Sequence, residues 1–515
     1  MRVHPSRPGD AEAPGTPPAP RSPGLPQALD PPAVPDPSVP DPSVPDPSVP
    51  DPSVSGPAGG TVVRSAGTAL ALVGVSLGYF MVLLDMTVLS VAEPDLARSL
   101  GASVAGLQWT VTGYTVAFGA LLLSAGAVAD RYGAHRVLRA GVAAFGLGSL
   151  LCALAPGTWT LVGLRGLLGA AAAATVPASL AVIARLYPAP AERARAVAAW
   201  AAISGAAVAA GPIAGGALVS LAGWRAVFLV NVPLAAVVLA LIADPAVRCP
   251  RGTRGVDWPG QIAACAALGL LTDAVIALGA GEARHAACST AAFAVAAAAF
   301  AARERRSPAP VLAPSVLRAR GMPAALLAGA AVGFALSAVL FTLPLVLPAT
   351  LGLTPAETGA AFLPMTLPFA VNPLFTGAIL ARTGPRTPVL AGLILLIASD
   401  AALGAAVASG AAYPALAAGL AGAGTGVSLA LPALVAMVVA AAPEGAAGAA
   451  SGLLNAVRQV GATLGVALAG AFVTAGGASG APAALALPAG VCAVAWITVV
   501  RDGRRGDGPA RRGRQ

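Results

Sequence analysis

Apolar residues in this chain neither alternate nor recur every third or fourth position; they fill whole runs, and such runs return from about residue 69 to residue 500. Each run is long enough for the ~20 residues that carry a helix across ~30 Å of hydrocarbon. A membrane-spanning strand would alternate over ~10 residues, so the pattern predicts helices and not a barrel. Divided at turn residues and charges, the runs give about fourteen predicted spans, at 69–92, 106–128, 137–155, 159–182, 197–221, 226–243, 260–280, 286–302, 323–347, 358–380, 388–408, 412–441, 447–474 and 480–500. An even number returns both ends of the chain to one side.

Composition agrees with the pattern. Of 515 residues 57% are apolar and 10% charged, and the mean hydropathy of +0.79 is far above that of a soluble domain. A net charge of +9 would suggest nucleic acid in a soluble protein, but here the basic residues, all arginine, have another explanation. They crowd the even-numbered connections and the two tails: Arg131, Arg136, Arg139, Arg185, Arg193, Arg248, Arg303 and Arg382 are examples, whereas the odd connections hold only Arg98, Arg225 and Arg284. An excess of arginine on one side marks the cytoplasmic face, so both termini are expected in the cytoplasm and the chain in the plasma membrane, with no role for nucleic acid.

The first stretch is different material. Residues 1–66 are Pro-rich and include tandem copies of PDPSV over 35–54, which cannot bury a core and are expected to be a disordered tail. The organisation read from the chain is therefore this tail, a six-helix half at 67–245, two inserted helices with their connections at 246–320, a second six-helix half at 321–500, and a basic tail at 501–515. Cys152, Cys249, Cys265, Cys288 and Cys492 have no paired spacing and read as small packing residues, with neither a metal site nor a disulfide framework indicated.

The two halves follow from a duplication. Residues 100–133, LGASVAGLQWTVTGYTVAFGALLLSAGAVADRYG, align without a gap on 351–384, LGLTPAETGAAFLPMTLPFAVNPLFTGAILARTG. GAVADRYG against GAILARTG shares both glycines and the arginine after the last helical turn. This places spans 2 and 10 in equivalent positions, hence spans 1–6 and 9–14 as parallel repeats with spans 7 and 8 inserted, an architecture used by one large transporter class. Span 7 reads as peripheral.

On these residues the chain resembles the major facilitator superfamily, and within it the fourteen-spanner drug:proton antiporters. The resemblance covers residues 69–500. GAVADRYGAHRVL at 126–138 is similar to the family signature between spans 2 and 3: Gly126 and Gly133 suit a close approach and a sharp turn, Asp130 can cap the next helix and pair with Arg131 or Arg136, and together they imply a latch between the halves. Ala381 in place of Asp130 in the second copy makes that latch one-sided. GAAVAAGPIAGG at 205–216 is similar to the antiporter motif; Gly205, Gly211, Gly215 and Gly216 with Pro212 give a smooth bent face for another helix, and the resemblance implies export. WRAVFLVNVP (224–233) and VDWPGQ (256–261) look like family stretches bordering spans 6 and 7, read as boundary chemistry, with Trp224 and Trp258 at the interface and Asp257 capping span 7. LLDMTVLSVAEP (83–94) is similar to the family's first-span signature, with Pro94 ending the helix and Glu93 read as a solvated acid at the mouth.

Five charges fall inside predicted spans: Asp85, Arg165, Asp273, Asp400 and Arg458. Each costs ~2.5 to 3.5 kcal/mol near the membrane centre, so each should face inward toward a partner. Asp85 on span 1 and Arg165 on span 4 lie at similar depth and can meet, a pair suited to proton coupling. Asp273 reads as a packing or lipid-edge polar residue, while Asp400, Asn455, Arg458 and Gln459 are candidates to line a central cavity. The resulting expectation is a monomeric, cofactor-free, non-enzymatic exporter that exchanges protons for an apolar or amphipathic drug-like molecule by alternating access. The same fold could serve proton-coupled uptake of a metabolite. A membrane-embedded enzyme or sensor needs a clustered site, and His4, His135 and His285, the only histidines, cannot build one.

Overall fold

The computed structural model describes residues 66–507 apart from 245–246, 253–254, 308–313, 445 and 477–478. The PDPSV repeats and the end of the basic tail lie outside the described residues. In chain order the helices are α1 (Ala66–Leu100), α2 (Val104–Tyr132), α3 (Ala134–Ala153), α4 (Thr158–Leu186), α5 (Pro190–Ala222), α6 (Ala226–Leu229), α7 (Asn231–Leu241), α8 (Trp258–Gly279) and α9 (Ala283–Arg306). There follow α10 (Pro314–Leu317), α11 (Met322–Leu351), α12 (Pro355–Ala361), α13 (Leu363–Val371), α14 (Pro373–Thr383), α15 (Arg386–Ala408), α16 (Tyr413–Ala441), α17 (Ala447–Ala475) and α18 (Gly480–Asp507).

Every predicted span falls on helix, but the count of fourteen is not reached by length and apolarity. Among the described residues eleven helices qualify as crossings, thirteen if each of two bent pairs is one span. The sixth predicted span is the short Ala226–Leu241 stretch, divided into α6 and α7. The tenth breaks into α12, α13 and α14 because Pro364, Pro368 and Pro373 each remove an amide donor from the helical ladder. At the other extreme α1 runs on through Pro94 to Leu100, so Pro94 does not end the first helix.

The halves repeat one packing scheme. α1 lies on α5 as α11 lies on α17, α3 on α7 as α15 on α18, and α3 on α4 as α15 on α16. Small residues allow it. A Cβ at Gly211 or Gly215 would run into Thr87 or Val88 of α1, and one at Gly461 or Gly465 into Ala330 or Phe334 of α11, so in both halves backbone meets backbone. Arg139 donates to the carbonyl of Ile242 at the end of α7 (2.6 Å), and Arg386 donates to the carbonyls of Val499 (3.1 Å) and Val500 (2.9 Å) on α18. Arg139 thus caps α7, and Arg386 ties α15 to the side of α18, besides marking a face.

The inserted pair is less marginal than its sequence suggests. α8 packs on both α2 and α17, one helix from each half, with Gly279 abutting Ala471; α9 is the more exposed member. At the entry to α8 Asp257 accepts from the amide of Gly260 (3.2 Å) and from Arg303 Nε on α9 (2.9 Å). Burial alone would raise the Asp257 carboxyl, but these hydrogen bonds hold it below the usual carboxylate range. A group depressed in the folded state adds stability above its unfolded pKa and loses it as pH falls through the folded one. Melting of the solubilised protein is therefore expected to weaken on acidification below ~4 by more in wild type than in Asp257→Asn; identical pH profiles would remove this role.

Among the described residues the halves touch from one end of the bundle to about its middle, where Gly119 of α2 abuts Gln459 of α17. At the end of the bundle opposite the described termini, α12 lies on α5, where a Cβ at Gly216 would strike Pro355 and one at Gly359 would strike Pro212, and the amide of Ala356 donates to Ser220 Oγ (3.0 Å). Nearby, Gln108 Nε2 on α2 donates to the carbonyl of Ala467 on α17 (2.6 Å), and Thr463 Oγ1 donates to Thr115 Oγ1 (2.8 Å). Toward the terminal end the contacts cease: nothing lies within 4 Å of where a Cβ would sit at Gly126 on α2, Gly205 on α5 or Gly452 on α17. A shallow surface groove of about 630 Å³ follows α5 from Pro190 to Ala201, lined by residues of that helix alone.

Candidate functional site

Asp85 and Arg165 are both 1% exposed and form an ion pair between α1 and α4. The pair exists because α1 and α4 each bring one charge to the same depth in an otherwise apolar stretch, and a charge in that position needs its opposite. Around it the first half converges. Asn231 Nδ2 at the start of α7 donates to Asp85 Oδ1 (3.1 Å) and to Ser149 Oγ on α3 (3.3 Å). Arg165 Nε donates to the carbonyl of Thr110 on α2 (3.0 Å), and the guanidinium lies over the ring of Tyr114, 4.5 Å from its centroid. Five elements thus hold one neutralised pair. Through α2 the same unit reaches the other half, since Gln108 and Thr115 belong to the helix whose Thr110 binds Arg165.

Asn231 was legible: it is the one amide in the apolar run VFLVNVPLAAVVLA, and the rule that singles out buried charges applies to amides at lower cost. Reading its stretch as boundary chemistry misplaces two residues. Asn231 is fully buried in the network, and Trp224 is 1% exposed, set edge-on to Phe228 with its amide donating to Asp95 Oδ2 (3.0 Å). Trp258, by contrast, is half exposed. Glu93 is not a solvated acid; the continuation of α1 past Pro94 leaves it 2% exposed, with Oε2 lacking a hydrogen-bond partner.

The turn between α2 and α3 departs from expectation. Asp130, Arg131 and Arg136 are exposed, and Asp130 does not cap α3, whose N-cap is Gly133 with φ +92° and no side-chain hydrogen bond. Instead the Asp130 carbonyl accepts from the amide of Gly252 (2.6 Å) and His135 Nδ1 accepts from the amide of Cys249 (3.0 Å). The turn is tied to the segment after α7 and not to the second half. Of the small residues expected to approach a neighbour, Gly211, Gly215 and Gly216 do so with Pro212 among them, while Gly126 and Gly205 face open space.

The four candidate cavity residues separate. Asp400 on α15 is fully buried among Ala335, Leu336, Met365 and Val427 inside the second half, and neither of its oxygens has a hydrogen-bond partner; depth in the span gave no indication of its face, and that face turns away from the first half. Asn455 is half-buried and donates to its own helix at Ser451 (3.3 Å). Gln459 lies against α1 and α2, with Nε2 3.8 Å from Met86 Sδ. Arg458 is half-buried, has no carboxylate partner among the described residues, and lies near the Tyr79 hydroxyl on α1. Tyr79 in turn stacks on Trp200 of α5, centroids 4.7 Å apart at 13°. Asp273 pairs with His285 (2.8 Å) and Ser289 within the inserted hairpin, in keeping with a packing role. All five cysteines are free.

A multi-pass helical bundle of two repeated halves, joined at one end and holding a buried ion pair, is the architecture of a membrane transporter. The sequence profile of the Major Facilitator Superfamily matches residues 75–333 and 325–515, and the chain belongs to that superfamily. Among its relatives the multidrug resistance protein Stp of Mycobacterium tuberculosis is 35% identical over 410 residues, 79% of this chain and 76% of the relative. The methylenomycin A resistance protein of Streptomyces coelicolor is 34% identical over 418 residues, covering 80% and 87%. The tetracenomycin C resistance and export protein of Streptomyces glaucescens is 32% identical over 423 residues, covering 81% and 77%. The fold matches the crystal structure of a bacterial homologue of the human lysosomal transporter Spinster, inward-facing and unoccupied, with a TM-score of 0.62 at 18% identity over 86% of this chain and 98% of that one.

Proposed function

We propose that this chain is a proton-driven exporter of amphipathic, drug-like small molecules, such as antibiotics, acting as a monomer in the plasma membrane with both termini in the cytoplasm. The observation that carries the reading is the Asp85–Arg165 pair, buried at 1% exposure and set on α1 beside the Gly211–Gly215 contact with α5. The names of the relatives, which speak of resistance and export, supply the direction and the substrate class; the arginine distribution supplies the orientation.

On this reading the structure is open to the cytoplasm and closed outside. Residues 67–245 and 321–500 rock against each other about the contacts of α5 with α12 and α2 with α17. A proton entering from outside neutralises Asp85, loosens its hold on Arg165, and lets α1 and α4 shift against α2 and α5. Gly205, Gly211, Pro212, Gly215 and Gly216 provide the sliding face. Gly126, Asp130, Arg131, Gly133 and Arg136 form the latch that engages when the cytoplasmic end shuts. One proton moving down ~100 mV releases ~2.3 kcal/mol and each pH unit adds ~1.4, enough to hold a neutral solute at roughly a hundredfold gradient.

The test is ethidium or antibiotic accumulation in cells expressing the protein. Expression is expected to lower accumulation severalfold, and a protonophore to abolish the difference. Lowered accumulation that is indifferent to the protonophore would remove proton coupling, and unchanged accumulation across a broad compound panel would remove export.

A further inference from the structure

Asp85 and Arg165 cancel each other within the first half, but Arg458 has no such opposite. It sits half-buried on α17 with no carboxylate partner among the described residues; Asp400 is enclosed elsewhere in the second half, and the near side chain on α1 is the neutral Tyr79 hydroxyl. A phenol can accept from a guanidinium but leaves its charge unbalanced, and its own proton is then free to donate. Beside it Trp200, 9% exposed, carries an indole N–H with no hydrogen-bond partner. The guanidinium, the phenol and the indole are thus a set of donors short of an acceptor, on elements from both halves.

The same residues form a wall. Trp200 stacks nearly parallel on one face of the half-buried Tyr79 ring, which leaves the other face as a flat apolar surface of the kind aromatic rings pack against, and the open space at Gly205 on α5 and Gly452 on α17 lies about one to two helical turns from Trp200 and Arg458. We propose that this place is the substrate site, and that it takes a planar aromatic molecule bearing an acidic oxygen: the ring lies on the free face of Tyr79, which Trp200 backs, and a carboxylate or ionised phenol meets Arg458. The proposal deepens the export reading and rests on it for direction. An anion replaces the missing counter-charge, whereas a cationic drug meets a like charge in a low-dielectric cleft.

The position also explains how the site would be coupled. Tyr79 lies six residues before Asp85 on α1, ~9 Å along the helix. Between them and α17, Met86 touches Gln459, the neighbour of Arg458. A shift of α1 on protonation of Asp85 therefore moves Tyr79 relative to Arg458 and loosens the anion's seat.

Purified protein in lipid nanodiscs is titrated with anthracene-9-carboxylate, anthracene-9-methanol and anthracene-9-methylammonium, following energy transfer from tryptophan. Wild type is expected to bind the carboxylate about tenfold more tightly than the alcohol, as a charge-assisted hydrogen bond supplies, and the ammonium most weakly. Arg458→Gln brings the carboxylate to the level of the alcohol and leaves the alcohol unchanged, which also reports that the variant is folded. Arg458→Lys keeps the charge preference in reduced form, and Trp200→Leu weakens all three in parallel. A preference that survives Arg458→Gln, an ammonium bound as tightly as the carboxylate, or no binding of any of the three overturns the proposal. Binding is measured without transport, so a protein that discriminates by charge yet lowers no accumulation in cells loses the export reading alone.

Discussion

Asp85→Asn is expected to bring drug accumulation back to the level of cells lacking the protein, while the variant still inserts in normal amounts. The substitution keeps the shape of the side chain and its place beside Asn231, but removes the group that can lose and regain a charge. It also leaves Arg165 buried without a counter-charge, among the Thr110 carbonyl and the Tyr114 and Phe228 rings. Breaking a buried pair by removing one partner costs ~3 to 5 kcal/mol, so melting of the solubilised variant should drop by several degrees. The companion variants separate the two effects: Asp85→Asn with Arg165→Gln restores an uncharged core and should recover much of the melting temperature without recovering export. Normal efflux by Asp85→Asn would remove the site assignment, and a double variant no more stable than either single one would remove the ion-pair account of stability.

Gly216→Leu is the second change with a large expected effect. A Cβ at Gly216 already conflicts with Pro355, Ala356 and Gly359 of α12, and those contacts are backbone, which cannot rotate away as a side chain can. The far ends of α5 and α12 must then part. Ser220, whose hydroxyl accepts from Ala356, reports the parting: Ser220→Cys introduced together with Gly216→Leu should label with an external membrane-impermeant thiol reagent several times faster than Ser220→Cys alone, and export should fall with it. Gly490→Leu on α18 is the control, because open space surrounds that exposed position and it lies on neither α5 nor α12; it should leave both labelling and export nearly unchanged. Equal labelling with and without the leucine would mean that this contact does not close the bundle.

Much of this arrangement was legible in the sequence, because a membrane reduces the choices. Apolar runs of the right length have to be helices, so the elements follow; a lone aspartate and a lone arginine at one depth have to find each other, so the central pair follows as well. What was not legible is rotation. Asp400 and Arg458 are both charges inside predicted spans, yet one turns into the packing of its own half and the other toward the first half, and nothing in an Ala- and Gly-rich run with apolar residues on every side distinguishes those faces. Length near proline was the second weakness. Pro94 sits within α1, and the extra turns it allows carry Glu93 into the interior, whereas three prolines break the tenth span. Trp224 was misread for a related reason, since an aromatic belt residue and a buried one have the same composition around them.

The α8–α9 hairpin touches α2 of one half and α17 of the other, and this makes the bundle one-sided. A two-fold repeated bundle has two equivalent seams, yet here one carries a buttress shared by both halves and the other, where α5 meets α12 and α13, does not. The moving parts therefore have a braced flank and a free one, and a chain shortened by residues 246–320 would lose a brace, not a passenger.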